Sequence, residues 1–217
     1  MKRSITTLIS GLICLTSMVT SGQKPVDLTG ELHHKKITAV NRTISLCENH
    51  PDAVEMNAVE GDGLGILEAI EIEKGTIEVE LLGENAPGRS FIGIAFNIQD
   101  EKTYEVIYFR PFNFVAEEQI RKEHMVQYIF HPEFTWSRLR EERTGEFENE
   151  IALPPDPDDW FKATLKISDK QVKVYVNEIS EPVLKVDRLS GLKSQKIGLW
   201  TGNNSAGRFR NLVLHSE

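Results

Sequence analysis

Cysteine is scarce in this chain, with only Cys14 and Cys47 in 217 residues, which rules out a disulfide-stapled miniprotein. No stretch approaches the ~20 consecutive apolar residues that a membrane-spanning helix needs. No run of Lys or Arg exceeds two residues, and Lys+Arg 25 are outnumbered by Asp+Glu 33, a formal net charge of -8. Such a surface repels phosphate backbones, so nucleic acid is not an expected partner. Cys-x-x-Cys pairs, a glycine-rich phosphate loop and a Gly-x-Ser-x-Gly elbow are all missing, which removes zinc-ribbon, nucleotide-binding and hydrolase-elbow readings. With 40% hydrophobic and 27% charged residues, disorder and collagen-like repeats are excluded as well.

The first thing present is a leader. Met1-Lys2-Arg3 is basic, Ile5 to Val19 is apolar but diluted by Ser and Thr, and Thr20-Ser21-Gly22 are small. Residues 1–22 therefore read as a secretory signal peptide, cut after Gly22 or Ser21. Loss of the two cations Lys2 and Arg3 takes the net charge from -8 to -10. The bulky Ile13 ahead of Cys14 argues against lipid attachment there. The expected product is exported (periplasmic, cell-surface or secreted) without a permanent membrane anchor. It keeps one cysteine, Cys47, read as a buried structural thiol, so its stability must come from a core. The oligomeric state is left open.

Strand patterns dominate the chain beyond the leader. Thr76 to Leu82 and Gln171 to Val176 alternate apolar and polar residues, and Phe91 to Ile98 puts Ile92, Ile94, Phe96 and Ile98 on one face with Gly93 and Ala95 on the other. Further strands are expected at Ile37 to Leu46, Val54 to Val59, Gly65 to Ile70, Thr103 to Arg110, Met125 to Phe130, Phe161 to Ile167, Val183 to Val186, Ile197 to Thr201 and Arg208 to His215. Gly- and Asn-rich turns separate them. Only Ala116 to Lys122 and Ser137 to Arg143 look helical. About twelve strands predict an all-β sandwich in one domain, residues 25–217. Phe112 to Trp160 is the least strand-like stretch and the expected functional rim, since long insertions on a β scaffold tend to carry binding and catalysis.

The segments Ser90 to Phe96, Thr103-Tyr104-Glu105, Tyr108 to Phe114 and Val126-Gln127-Tyr128, with the closing Ile197-Gly198-Leu199-Trp200 and Phe209-Arg210-Asn211-Leu212, resemble exported bacterial proteins of the concanavalin A-like lectin/glucanase superfamily. The ending is also similar to that of the 3-keto-disaccharide hydrolase domain family. The resemblance implies a jelly roll of two antiparallel sheets, one flat and one curved into a groove that takes sugar. It does not choose among lectin, glycosidase, lyase and inert module.

On Thr103 to Arg110, alternation sets Tyr104, Val106, Tyr108 and Arg110 against Glu105, Ile107 and Phe109. The first set is assigned to the groove, because Arg110 is costly to bury unpaired. Flat aromatic faces and planar hydrogen-bonding groups suit sugars, which makes Tyr108, Arg110, Asn113, Gln127, His131 and Trp136 candidate ligand-binding residues and carbohydrate the expected partner. The Glu-x-Asp-x-x-Glu pattern of retaining glycosidases on this fold is absent, so a binding module leads. The alternative is a glycan-active enzyme acting on 3-keto-sugars, with His131 or Glu105 as candidate catalytic residues, His124 or Glu133 as other possible bases, and Arg110 as the cation. A third option is a structural or partner-binding module whose groove the 112–160 insertion fills. No cofactor and no metal-ligating residues are predicted, though a divalent metal could assist the enzymatic alternative.

Overall fold

The computed structural model describes residues 22–216, so the expected signal peptide lies outside the described residues apart from Gly22. The elements in chain order are β1 (Gln23–Val26), α1 (Leu28–His33), β2 (Ile37–Val40), β3 (Ile44–Cys47), β4 (His50–Met56), β5 (Gly63–Glu71), β6 (Gly75–Leu82), β7 (Ile92–Phe96), β8 (Tyr104–Phe109), a 3-10 turn (Pro111–Asn113), α2 (Gln119–Lys122), β9 (Val126–His131), α3 (Trp136–Glu142), β10 (Glu148–Asn149), β11 (Phe161–Ile167), β12 (Gln171–Val176), β13 (Leu184–Asp187), β14 (Lys196–Thr201) and β15 (Gly207–Ser216). They form two antiparallel sheets. The eight-stranded sheet runs β13-β12-β11-β6-β15-β4-β3, with β1 also paired to β15, and the seven-stranded sheet runs β10-β9-β8-β7-β14-β5-β2.

The all-β expectation holds, with fifteen strands among the described residues rather than about twelve. Part of the excess comes from Ile37 to Leu46, which is two strands in different sheets. Asn41 adopts a left-handed backbone (φ 49°) between β2 and β3, a conformation Asn tolerates better than most residues. Its amide donates to the carbonyls of Glu60 and Asp62, while buried Arg42 donates to Gly61 O, Thr201 Oγ1 and Gly202 O. The chain crosses between sheets at that corner. β10 is two residues long, too short for alternation to mark. The unexpected α1 is capped by Asp27, whose carboxylate accepts from the Gly30 N–H.

The two sheets differ in how they meet water. Burial alternates along β6, β11 and β12, the pattern of an antiparallel sheet with one core face and one solvated face. In β7, β8 and β9 nearly every residue is buried. One face of these strands closes the inter-sheet core, where Phe109 of β8 meets Phe161 of β11 edge-on at 5.1 Å. The other is overlaid by part of the 112–160 insertion, with α3 set on β9 through its buried Leu139.

β15 holds the eight-stranded sheet together. It pairs with β6 on one side, and on the other with β4 through Gly207 to Phe209 and with β1 through Leu212 to His215. Asn211, at φ 51°, makes the bend where β15 changes partner. Phe209, Leu212 and Leu214 are all buried, each contributing about 1.5–3 kcal/mol against a total stability of about 5–15 kcal/mol for a typical domain. Truncation after Thr201 should therefore abolish cooperative thermal unfolding monitored by circular dichroism. A truncated chain that melts in one sharp transition near the intact protein's midpoint would contradict this.

Candidate functional site

The cleft on the seven-stranded sheet starts from a glycine. Gly93 of β7 lies opposite Tyr108 on β8 and opposite Trp200 on β14. A Cβ at Gly93 would fall 2.0 Å from the Ile107 carbonyl oxygen, so the strands approach too closely for any side chain there. The two flanking rings lean over the gap and meet, their centroids 5.0 Å apart. Phe91 packs against Tyr108 at 6.2 Å and, perpendicular, against Phe112 at 5.4 Å. The small-residue floor inferred from Gly93 is thus roofed by aromatic rings.

Across the gap stands α3, begun by Thr135, whose hydroxyl accepts from the Arg138 N–H. Trp136 in its first turn is 51% exposed, and the Arg140 guanidinium sits 5.2 Å from its ring centroid. Between α3 and the aromatic wall lies a cleft of about 460 Å³ that Tyr108, Arg110, Asn113, His124, Trp136 and Trp200 help to line.

Beneath it is a buried polar cluster. Arg110, just past β8 and 5% exposed, donates through Nη2 to the Tyr108 hydroxyl (2.6 Å) and Gln127 Oε1 (2.5 Å), and through Nη1 to the His124 carbonyl (2.9 Å). The Tyr108 hydroxyl also donates to Gln127 Oε1 (2.7 Å). Two donors on one oxygen fix the orientation of the Gln127 amide and leave its Nε2 buried without a partner among the described residues. Glu148, on β10 opposite Gln127, accepts from Arg140 Nε (3.2 Å) and Nη2 (2.8 Å) in a two-point pair. His124 Nδ1 lies 2.8 Å from Glu148 Oε2 without the alignment of a hydrogen bond, and Arg110 Nη1 is 4.0 Å from the same oxygen. Asn113 donates to the His124 carbonyl and accepts from Arg121 Nε.

Titration follows from this burial. Desolvation lowers the His124 pKa; Glu148 opposes that, while Arg140 and Arg110 reinforce it. Desolvation also lowers Arg110, which remains a cation because guanidinium starts so basic. Burial pushes the Tyr108 phenol up to about 12, with Arg110 resisting.

The sequence candidates separate in space. Tyr108, Arg110, Asn113, Gln127 and Trp136 come together at the cleft or just beneath it. His131 sits at the other end of β9, its Nε2 3.2 Å from Asp62 Oδ2 and its ring 5.2 Å from that of Tyr104; of that trio Asp62 reaches the cleft wall. Glu105 faces the opposite way, into the space between the sheets. Its carboxylate takes a two-point pair from Arg188 (2.6 and 3.1 Å) and accepts from the Tyr128 hydroxyl (2.5 Å) and Asn97 Nδ2 (2.6 Å). Among the described residues, no group of three or more His, Cys, Asp and Glu gathers into a metal-binding arrangement, and no helix is long and apolar enough to cross a membrane. Sequence reasoning passed over Glu148, Arg140 and Trp200. Alternation along β14 could have flagged Trp200, but nothing local marks Glu148 or Arg140.

Searches against known proteins find no matching family model and no matching curated protein. Among solved structures, the chain is similar to the carbohydrate-binding module CBM66 from Bacillus subtilis (15% identity, 82% of this chain and 95% of that one, TM-score 0.57). It is also similar to a protein of unknown function with a galectin-like fold from Bacillus subtilis (12% identity, 89% and 94%, TM-score 0.59). A third is the exoplasmic/lumenal domain of VIP36 in its Ca2+/Man3GlcNAc-bound form (11% identity, 83% and 84%, TM-score 0.53). The fold is a galectin-like, concanavalin A-like β-sandwich. At these identities the likeness speaks for the architecture alone.

The buried phenols give this sandwich an alkaline limit. Burial raises the pKa of Tyr104, Tyr108 and Tyr128, helped at Tyr104 by Asp62 and at Tyr128 by Glu105. Above about pH 10 the unfolded chain releases these protons while the folded chain retains them, so stability falls as pH rises from about 10 toward 12. Thermal midpoints measured from pH 9 to 12 should drop across that window, and tyrosinate absorbance of these three residues should appear only together with loss of structure. Tyrosinate absorbance from Tyr108 at pH 10.5 in a still-folded protein would contradict the burial argument.

Proposed function

We propose that this chain is an exported carbohydrate-recognising β-sandwich that takes a sugar in the cleft between α3 and the aromatic wall of the seven-stranded sheet. The observation carrying this reading is the pairing, in one cleft, of flat aromatic surface (Phe91, Tyr108, Trp136, Trp200) with planar hydrogen-bonding groups on Arg110 and Asn113. Sugars present apolar C–H faces and polar hydroxyl edges, and that combination suits both. It is in keeping that one of the similar structures is a carbohydrate-binding module and another a domain captured with Man3GlcNAc. The basic, then apolar, then small-residue pattern of residues 1–22, that of a secretory leader, supports a working place outside the cytoplasm.

A second reading, a glycan-active enzyme related to the 3-keto-disaccharide hydrolases, is favoured by one feature. His131 is oriented by Asp62, which itself reaches the cleft wall, and an imidazole held by a carboxylate is the usual arrangement of a general base. Product from 3-keto-glucosides that disappears in His131→Ala would establish it, and no turnover with or without divalent metal would remove it.

The binding reading is tested at Trp136, whose exposure makes its loss nearly neutral for folding, within about 0.5 kcal/mol. Once a glycan array has supplied a ligand, Trp136→Ala should weaken its binding by calorimetry about tenfold, or about 1.4 kcal/mol, with an unchanged melting temperature. Unaltered affinity would place the sugar elsewhere.

A further inference from the structure

The cleft carries the wrong charge for the protein that surrounds it. The chain is acidic, with a formal net charge of -8, yet Arg110, Arg121 and Arg140 line this one cleft, with Asp62 the only lining carboxylate. Arg121 is occupied by Asn113, by the Phe112 carbonyl and, at 3.4 Å in solvent, by Glu118. Arg110 and Arg140 are different, because they share the single buried carboxylate of Glu148. Arg140 holds both of its oxygens, and Arg110 stops 4.0 Å away, bonded instead to two neutral oxygens and a carbonyl. His124, the third group on Glu148, has its pKa lowered by burial, and an imidazole carries no negative charge to offset the surplus. Within this cluster two permanent cations face one carboxylate, an excess of one positive charge, while Asp62 is held by His131. Burying such a charge is costly unless something pairs with it.

Donors are in surplus too. A guanidinium has five N–H groups, of which Arg140 commits two to Glu148; Nη1 has no partner among the described residues, and the side chain is 32% exposed. Gln127 Nε2 is a further donor left without an acceptor. A neutral sugar could occupy the aromatic wall, but it would leave that charge unpaired.

We propose that the ligand is an anionic saccharide, with a carboxylate or sulfate group seated against Arg140 and the field of Arg110. This rests on the proposed sugar cleft and names the chemical class that fills it. An anion supplies the missing charge and takes the open guanidinium edge in the paired geometry Arg favours. It also explains why the acidic surface does not exclude such a ligand, since the cleft presents a local field of the opposite sign.

The test uses the purified protein and calorimetric titration at low salt. Four probes are needed: an oligogalacturonate, its fully methyl-esterified and therefore neutral form, a sulfated galactan oligosaccharide, and its desulfated form. At least one acidic probe should bind tenfold or more tighter than its neutral counterpart, and the advantage should shrink between 50 and 500 mM salt. Which of the two does so identifies the anion as carboxylate or sulfate. Arg140→Gln, which takes the Arg110–Arg140–Glu148 cluster from one surplus charge to none, should erase the preference and leave the weaker binding of the neutral form. Equal binding of acidic and neutral forms would overturn the anionic assignment while leaving the sugar cleft standing. Failure of all four probes and of a wider glycan array would overturn both. An acidic preference that survives unchanged in a folded Arg140→Gln protein would remove Arg140 from the site. The comparison of esterified and free probes on the unaltered protein needs no variant, so it decides even if that substitution fails to fold.

Discussion

Strands β7, β8 and β9 have almost no water on either face, so every polar side chain they carry must find its partner inside the protein or lose on the order of 1–3 kcal/mol. Most of those positions are apolar, and the few that are not determine how the covering insertion packs. Tyr108 and Gln127 sit side by side on adjacent strands and are joined by Arg110. Gln127 in turn stands opposite Glu148, the one charged residue that the insertion adds to the sheet as a strand. α3 then delivers Arg140 to Glu148. The cleft is the space left when α3 is anchored on the sheet by the Arg140–Glu148 charge pair and by the adjoining buried Leu139.

The same residue types are used twice with opposite results. Between the sheets, Glu105 is matched one-to-one with Arg188, and burial, which works against the Arg188 cation, is outweighed by the bonds and attraction from Glu105. Tyr128 and Asn97 complete that cluster, and the Tyr128 hydroxyl accepts from the Leu189 N–H to tie in the segment after β13. It is closed and balanced, as a structural lock should be. The Glu148 cluster has one carboxylate for two arginines and opens on a cleft. Breaking a balanced buried pair destabilises the fold, whereas an unbalanced pair beside solvent is free to respond to what enters.

Much of the fold was legible because a half-buried antiparallel strand alternates, and β6, β11 and β12 do so cleanly. Even in β8, buried on both sides, the cost of burying Arg110 alone was enough to sort Tyr104 and Tyr108 from Glu105 and Phe109. The failures were equally physical. Ile37 to Leu46 looks continuous because its apolar residues do not record that Asn41 reverses handedness between them. Glu148 has no periodic neighbours, and its value comes from Arg140 on a separate element. Glu105 reads as a candidate base in the sequence because its partner Arg188 lies 83 residues away, beyond any local pattern. Proximity across sheets is what sequence alternation cannot encode.

The position of β15 bears on how the molecule is made. A strand from the last tenth of the chain lies between β6 and both β4 and β1, so its three neighbours wait with open edges until it arrives. During synthesis the eight-stranded sheet can exist only as separate fragments, and their closure is a long-range event of the slow, high-contact-order kind. Such a chain remains unfinished, and in need of protection from edge-to-edge association, for as long as its final segment is held back.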